Sequence, residues 1–212
     1  MKFSIVSVLA LAASATATPI LGGLVGGVGD ALKGAVSKVG GAPQSSDDIA
    51  TLLEGTLASV KERTGAMNAT VAQVQSKDIT ADAADDQLLG QIQGLKLDLS
   101  QLVNSLTTAA GIPVPKGDVD RVLTLVNALL NEVLATVNTL VTVLGLRVQL
   151  TSLLHSVFSL LANILTLLIG LLGGLLPALV GGLTPLLAGL GNGLLAPLLT
   201  PIVALVAAIS GP

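Results

Sequence analysis

Residues 88–106 read Leu88-Leu89-Gly90-Gln91-Ile92-Gln93-Gly94-Leu95-Lys96-Leu97-Asp98-Leu99-Ser100-Gln101-Leu102-Val103-Asn104-Ser105-Leu106. Within this stretch Leu88, Ile92, Leu95, Leu99, Leu102 and Leu106, followed by Ala109, alternate steps of four and three. That rhythm places them on one face of an α-helix, whereas a strand would need steps of two. Asp78 or Thr80 offers an N-cap upstream, with Asp82, Asp85 and Asp86 crowding the first turns. Gly111, Pro113 and Pro115 stop the pattern downstream. The spacing predicts a helix over Thr80–Ala110.

The same rhythm continues on both sides. Upstream, Leu53, Leu57, Val60, Thr64, Met67, Val71 and Val74 form a heptad stripe over Ser46 to about Gln75. Ser46, Asp47 and Asp48 supply caps and first-turn carboxylates that suit the helix dipole. Gly65 weakens the middle. The link between these two helices is short, so they are expected as antiparallel neighbours. Downstream, a third helix starts at Asp118 and carries Val122, Val126, Leu129, Val133, Val137, Leu140 and Leu144 on one face. Leu123, Leu130, Leu134 and Val141 widen that face, which fits a central bundle helix or a membrane-contacting one. Gly145 is placed to bend the chain after it.

From Val148 to Pro212 there is no Asp, Glu, Lys or Arg. Val157–Leu176 is uncharged and long enough to span a bilayer. Beyond Pro177, the pieces Ala178–Thr184, Leu186–Ala196 and Ile202–Ser210 lie between Gly and Pro breakers and are each too short to span. They read as short helices. At the other end, Lys2, the apolar run Ile5–Ala13 and Ala15-Thr16-Ala17 fit a secretory leader, with cleavage after Ala17 or Thr18. Pro19–Pro43 is Gly-rich and reads as a flexible arm. The expected division is leader 1–17, arm 18–45, amphipathic helical region 46–147 and apolar helical region 148–212. The fold class is all-α: an amphipathic helical hairpin or bundle followed by an apolar, Gly/Pro-broken helical half.

Composition narrows the chemistry. The 212 residues contain no Cys, Trp or Tyr, and of the two Phe, Phe3 lies in the leader. Without aromatics there is no stacking platform for sugars or single-stranded nucleic acid. The net charge of −3 becomes −4 once Lys2 leaves with the leader, so nothing attracts a phosphate backbone. With no thiols, stability outside the cell has to come from packing.

No catalytic set can be assembled. His155 is the sole histidine, no G-x-S-x-G elbow is present, and no carboxylate follows Glu132. Asp82, Asp85, Asp86 and Asp98 form the densest acid cluster but lack the Gly and terminal Glu of a calcium loop. Solvated carboxylates at a helix start explain them better. The residues therefore predict no enzyme, no catalytic or metal site and no cofactor. Asn68-Ala69-Thr70 is the sole N-glycosylation sequon. Gly170/Gly174 and Gly189/Gly193 match the small-residue packing spacing of membrane helices, as expected by chance in so Gly-rich a segment.

A leader, a Cys-free helical half (Ser46–Leu144) and a very apolar half (Val148–Pro212) together resemble a group of small secreted fungal proteins of basidiomycete type. Those proteins sit at the cell wall or hyphal surface and work beside hydrophobins in aerial growth and attachment. Ile49–Leu106 is also similar to the hydrophobic-surface-binding cell-wall mannoprotein family, which lacks so long an apolar tail. The resemblance implies an extracellular, amphiphilic structural protein that coats a cell wall, and it supplies no catalytic residues. An apolar region this large is buried by folding back, buried in a homo-oligomer, or placed at a hydrophobic surface. The alternatives are an integral membrane protein anchored by Val157–Leu176, against which the missing Trp and Tyr belts count, and a carrier of lipids or other apolar small molecules.

Overall fold

The computed structural model describes residues 43–109, 111–112, 114–145, 147–172 and 196–210. The leader with Ala17 and Thr18, nearly all of the Gly-rich arm, and the Gly/Pro-broken pieces between 173 and 195 lie outside the described residues. Five helices make up the described chain: α1 (Ser46–Gln75), α2 (Ala81–Thr108), α3 (Lys116–Leu144), α4 (Val148–Leu172) and α5 (Ala196–Ser210). The protein is all-α, and no strand occurs among the described residues.

Local chemistry fixes the helix ends. Ser45, one residue ahead of the expected caps, forms a capping box with Asp48: the Asp48 N–H donates to Ser45 Oγ and the Ser45 N–H donates to Asp48 Oδ2. The α1–α2 link turns on Lys77 at φ +63°, and the Asp78 N–H returns to the Gln73 carbonyl at 2.9 Å. Thr80 caps α2 by accepting from the Ala83 N–H. Gly145 adopts φ +77° and ends α3, a conformation that suits the residue without a Cβ.

The apolar region expected from residue 148 is helical from Val148, with the hydroxyls of Thr151 and Ser156 bonded back to the carbonyls of Arg147 and Ser152. One expectation needs correction: α5 runs from Ala196 through Pro201 instead of starting at Ile202. Pro197 lies in its first turn, where a missing N–H leaves no bond unmade, and the bond Pro201 forgoes would have gone to that same turn.

Interhelical bonds set the directions. Ser46 and Thr64 of α1 donate to Asp118 and Glu132 of α3, so α1 and α3 run parallel. Arg63 and Thr70 of α1 pair with Asp98 and Gln87 of α2, so α2 runs antiparallel to α1, as its short link implies. Arg147, just ahead of α4, reaches Asp82 and Asp85 in the first turns of α2, so α4 lies alongside α2 in the same direction. The close neighbours are α3–α1, α1–α2, α2–α4 and α4–α5, while α3 and α4 approach each other much less. α1, α2 and α4 thus each have close partners on two flanks, whereas the more apolar α3 has one. One buried cluster runs through all five helices, from Ile49 to Ile202. The composition changes at residue 147, but the core crosses that point through Leu150, Val157, Phe158, Leu161 and Leu165.

Candidate functional site

The stripe positions face inward as their spacing requires. Leu88, Ile92, Leu95, Leu99, Leu102 and Leu106 are all buried, as are Val122, Val126, Leu129, Val133, Val137 and Leu140. The chemically distinctive residues do not converge on one site. Asn68 is exposed on α1, whereas its sequon partner Thr70 is buried, with its hydroxyl on the Ala66 carbonyl and Gln87 Oε1. His155 is exposed on α4. Gly170 is exposed, and its partner Gly174 lies outside the described residues with Gly189 and Gly193.

The acid cluster divides into separate roles. Asp82 and Asp85 take the Arg147 guanidinium at 2.7 and 2.6 Å, and this holds the arginine firmly protonated. Asp86 faces solvent. Asp98 is not the solvated carboxylate its cluster suggested. It lies inside the α1–α2 seam, where it accepts from Arg63 Nε at 2.5 Å, with side-chain exposures of 8% for Arg63 and 3% for Asp98. Gly94 makes room for this pair: a Cβ there would fall 1.9 Å from Arg63 Nη1. At the start of the bundle, Arg121 of α3 bridges Glu54 and Asp47 of α1, again raising the affinity of the guanidinium for its proton.

These bonds reveal an uneven construction. α1 is tied by directional polar bonds to α2 and to α3. By contrast, α4 meets α2 through apolar side chains, with Arg147 clasping one end. Charge follows the same division. Lys61, Glu62, Lys77, Asp78, Asp86 and Lys96 are exposed on α1, α2 and their link. From Val133 onward the described chain carries a single charged side chain, Arg147. The outward positions of α4 are Gln149, Ser152, His155, Asn163, Thr166 and Gly170. The hydroxyls of Ser159 and Thr166 donate to the carbonyls of His155 and Ala162 in their own helix. Large exposed apolar side chains are few among the described residues: Leu97 at 56%, Val148 at 87% and Val203 at 47%, each on a different helix.

Where α3 turns into α4, Leu140, Val141, Gly145, Arg147, Leu150, Thr151 and Leu154 line a shallow crevice, open to solvent, that encloses no volume for a small molecule. Among the described residues no three His, Cys, Asp or Glu side chains gather as metal ligands would. The Arg63–Asp98 pair and the Arg147 clasp were missed in the sequence because their partners lie 35 or more residues away. The signal available for the buried pair was a charged residue directly beside a stripe position, Arg63 next to Thr64 on α1 and Asp98 next to Leu99 on α2. Comparison with protein families, characterised proteins and solved structures gives no match for this chain.

Proposed function

We propose that this chain is a secreted, amphiphilic structural protein that adsorbs to hydrophobic surfaces and coats the cell wall, with no catalytic step. One observation carries the reading. Charged side chains stud the outer faces of α1 and α2, while the chain from Val148 onward carries none. A molecule so divided lowers its free energy at a boundary between water and an apolar phase. Charged groups stay hydrated on one side, and apolar area leaves water on the other at about 25 cal/mol per Å².

Depletion of the full chain from solution by alkyl-coated and bare silica beads tests the reading. Strong depletion by the alkyl surface alone is expected. The adsorbed protein should keep Lys61, Lys77 and Lys96 open to acylation from the water side. Equal depletion by both surfaces, or by neither, sinks the proposal. A second reading is membrane insertion, favoured by the length and apolarity of Gly117–Leu144 and Val148–Leu171. Against it, Val148–Leu171 packs along α2 and contributes Val157, Phe158 and Leu161 to the core of the bundle. Recovery of the chain only from a membrane fraction, and only with detergent, is the result that favours insertion.

A further inference from the structure

In the closed bundle the described helices offer an apolar boundary very little: Leu97, Val148 and Val203 are scattered over α2, α4 and α5. The apolar area that adsorption needs is inside. The three seams that enclose it are not equivalent. α1–α2 holds the buried Arg63–Asp98 pair and the Thr70–Gln87 bond. α1–α3 holds Ser46–Asp118, Thr64–Glu132 and the Arg121 bridges. Separating either seam strands polar groups, which an apolar phase cannot satisfy. The α2–α4 seam beyond Arg147 is apolar on both sides. What it gains from contact, a hydrocarbon surface can replace in kind, because burial against oil and burial against leucine are physically alike. Besides α2, α4 packs closely only on α5, which follows it in the chain and can travel with it. It approaches α3 only slightly, and it follows Gly145, a residue already in the left-handed region. Arg147 bonds to Asp82 and Asp85 at the end nearest that pivot. Asp82 is 90% exposed and can lose its bond freely, whereas Asp85 is only 19% exposed with one carboxylate oxygen buried, so an outward swing has to keep the Arg147–Asp85 bond, which its place beside the pivot allows.

We propose that, at an apolar boundary, α4 swings away from α2 about Gly145 and both helices lay their formerly mutual faces on the hydrocarbon, while α1, α2 and α3 stay assembled. This rests on the adsorption reading above and specifies its working surface. The buried apolar side chains available for this include Leu95, Leu99 and Leu102 on α2 and Val157, Phe158 and Leu161 on α4.

The absence of Cys in the chain makes paired spin labels straightforward to place. Full-length protein carrying Glu62→Cys and Asn163→Cys reports the α1–α4 distance, and Glu62→Cys with Asn138→Cys reports α1–α3. All three positions are exposed. Should the first pair fail to fold, Lys61→Cys with Thr166→Cys repeats the measurement at neighbouring exposed sites. Distances are compared in buffer and on hexadecane droplets. The expected result is a lengthening of α1–α4 by more than about 10 Å, since the helical arm from Gly145 to Asn163 is about 27 Å long at about 1.5 Å per residue. The α1–α3 distance should not change. Adsorption with both distances unchanged overturns the opening and leaves the adsorption reading standing. Lengthening of both shows the whole bundle coming apart and likewise overturns it. Failure to adsorb at all removes the adsorption reading and the opening together.

Discussion

Gly94 sits where the Arg63 side chain crosses from α1 towards Asp98. A Cβ there would meet Arg63 Cζ at 2.4 Å, and the guanidinium cannot step aside without breaking a buried ion pair. Breaking such a pair strands charge at about 3–5 kcal/mol. Gly65 and Gly90 are also helical but have nothing within 4 Å of a built Cβ. Gly94→Ala is therefore expected to destabilise the fold by roughly 1–3 kcal/mol despite the better helix propensity of Ala. Gly65→Ala and Gly90→Ala are expected to stabilise it by about 0.5–1 kcal/mol each. Urea melts of the three variants check the opposite signs, and a stable Gly94→Ala would mean the pair is not confined as described. Asp48 gives a second prediction. The Gln44 N–H, ahead of Ser45, holds its carboxyl below the usual carboxylate range. A lowered folded-state pKa means the ionised form favours the helix. The contribution is complete above a pH of about 4 and is lost as the pH falls through the folded-state value. NMR titration of the Asp48 carboxyl carbon should give a midpoint below that of the same residue in an unfolded peptide, and Ser45→Ala should move it upward.

Among the elements, legibility followed periodicity. α1, α2 and α3 could be read because apolar residues recur along 28–30 residues in each, and the folded helices match that reading to within a turn. What the stripes could not show was which helices would become neighbours. A wide apolar face made α3 look central, but α3 has one close partner, α1, whose flanks offer Arg63 and Thr70 to α2 and Ser46 and Thr64 to α3. Polar residues beside a stripe read as solvated until a partner helix is known, and Asp98 shows the error this causes. The start of α4 at Val148 coincides with the start of the charge-free run, and Thr151 and Ser156 fit into it by bonding their hydroxyls within the same helix. The continuity of α5 through Pro201 was missed because proline stops a helix only where the lost bond matters. Of the candidate functional surface, the charge division was fully legible. That the described apolar faces are turned inward was not.

For the whole molecule, the decisive quantity is how much of the core α4 supplies. Leu150, Leu154, Val157, Phe158, Leu161, Ile164, Leu165 and Leu168 are buried to 4% exposure or less. When α4 leaves α2 in water, these side chains and the α2 face that they cover become exposed, at about 25 cal/mol per Å² of apolar area. In water, then, the bundle is expected to stay closed. Only a surface that replaces the lost burial changes that balance, which is why opening belongs at a boundary and not in solution. The consequence is testable on a chain ending at Leu146. It keeps the stripes of α1, α2 and α3, so its far-ultraviolet dichroism should remain helical. It lacks the cover of α2, so its thermal melt should lose cooperativity and it should bind an apolar dye that the full chain excludes. A sharp, cooperative melt with no dye binding would show that the first three helices are complete by themselves and that α4 is an addition to a finished core.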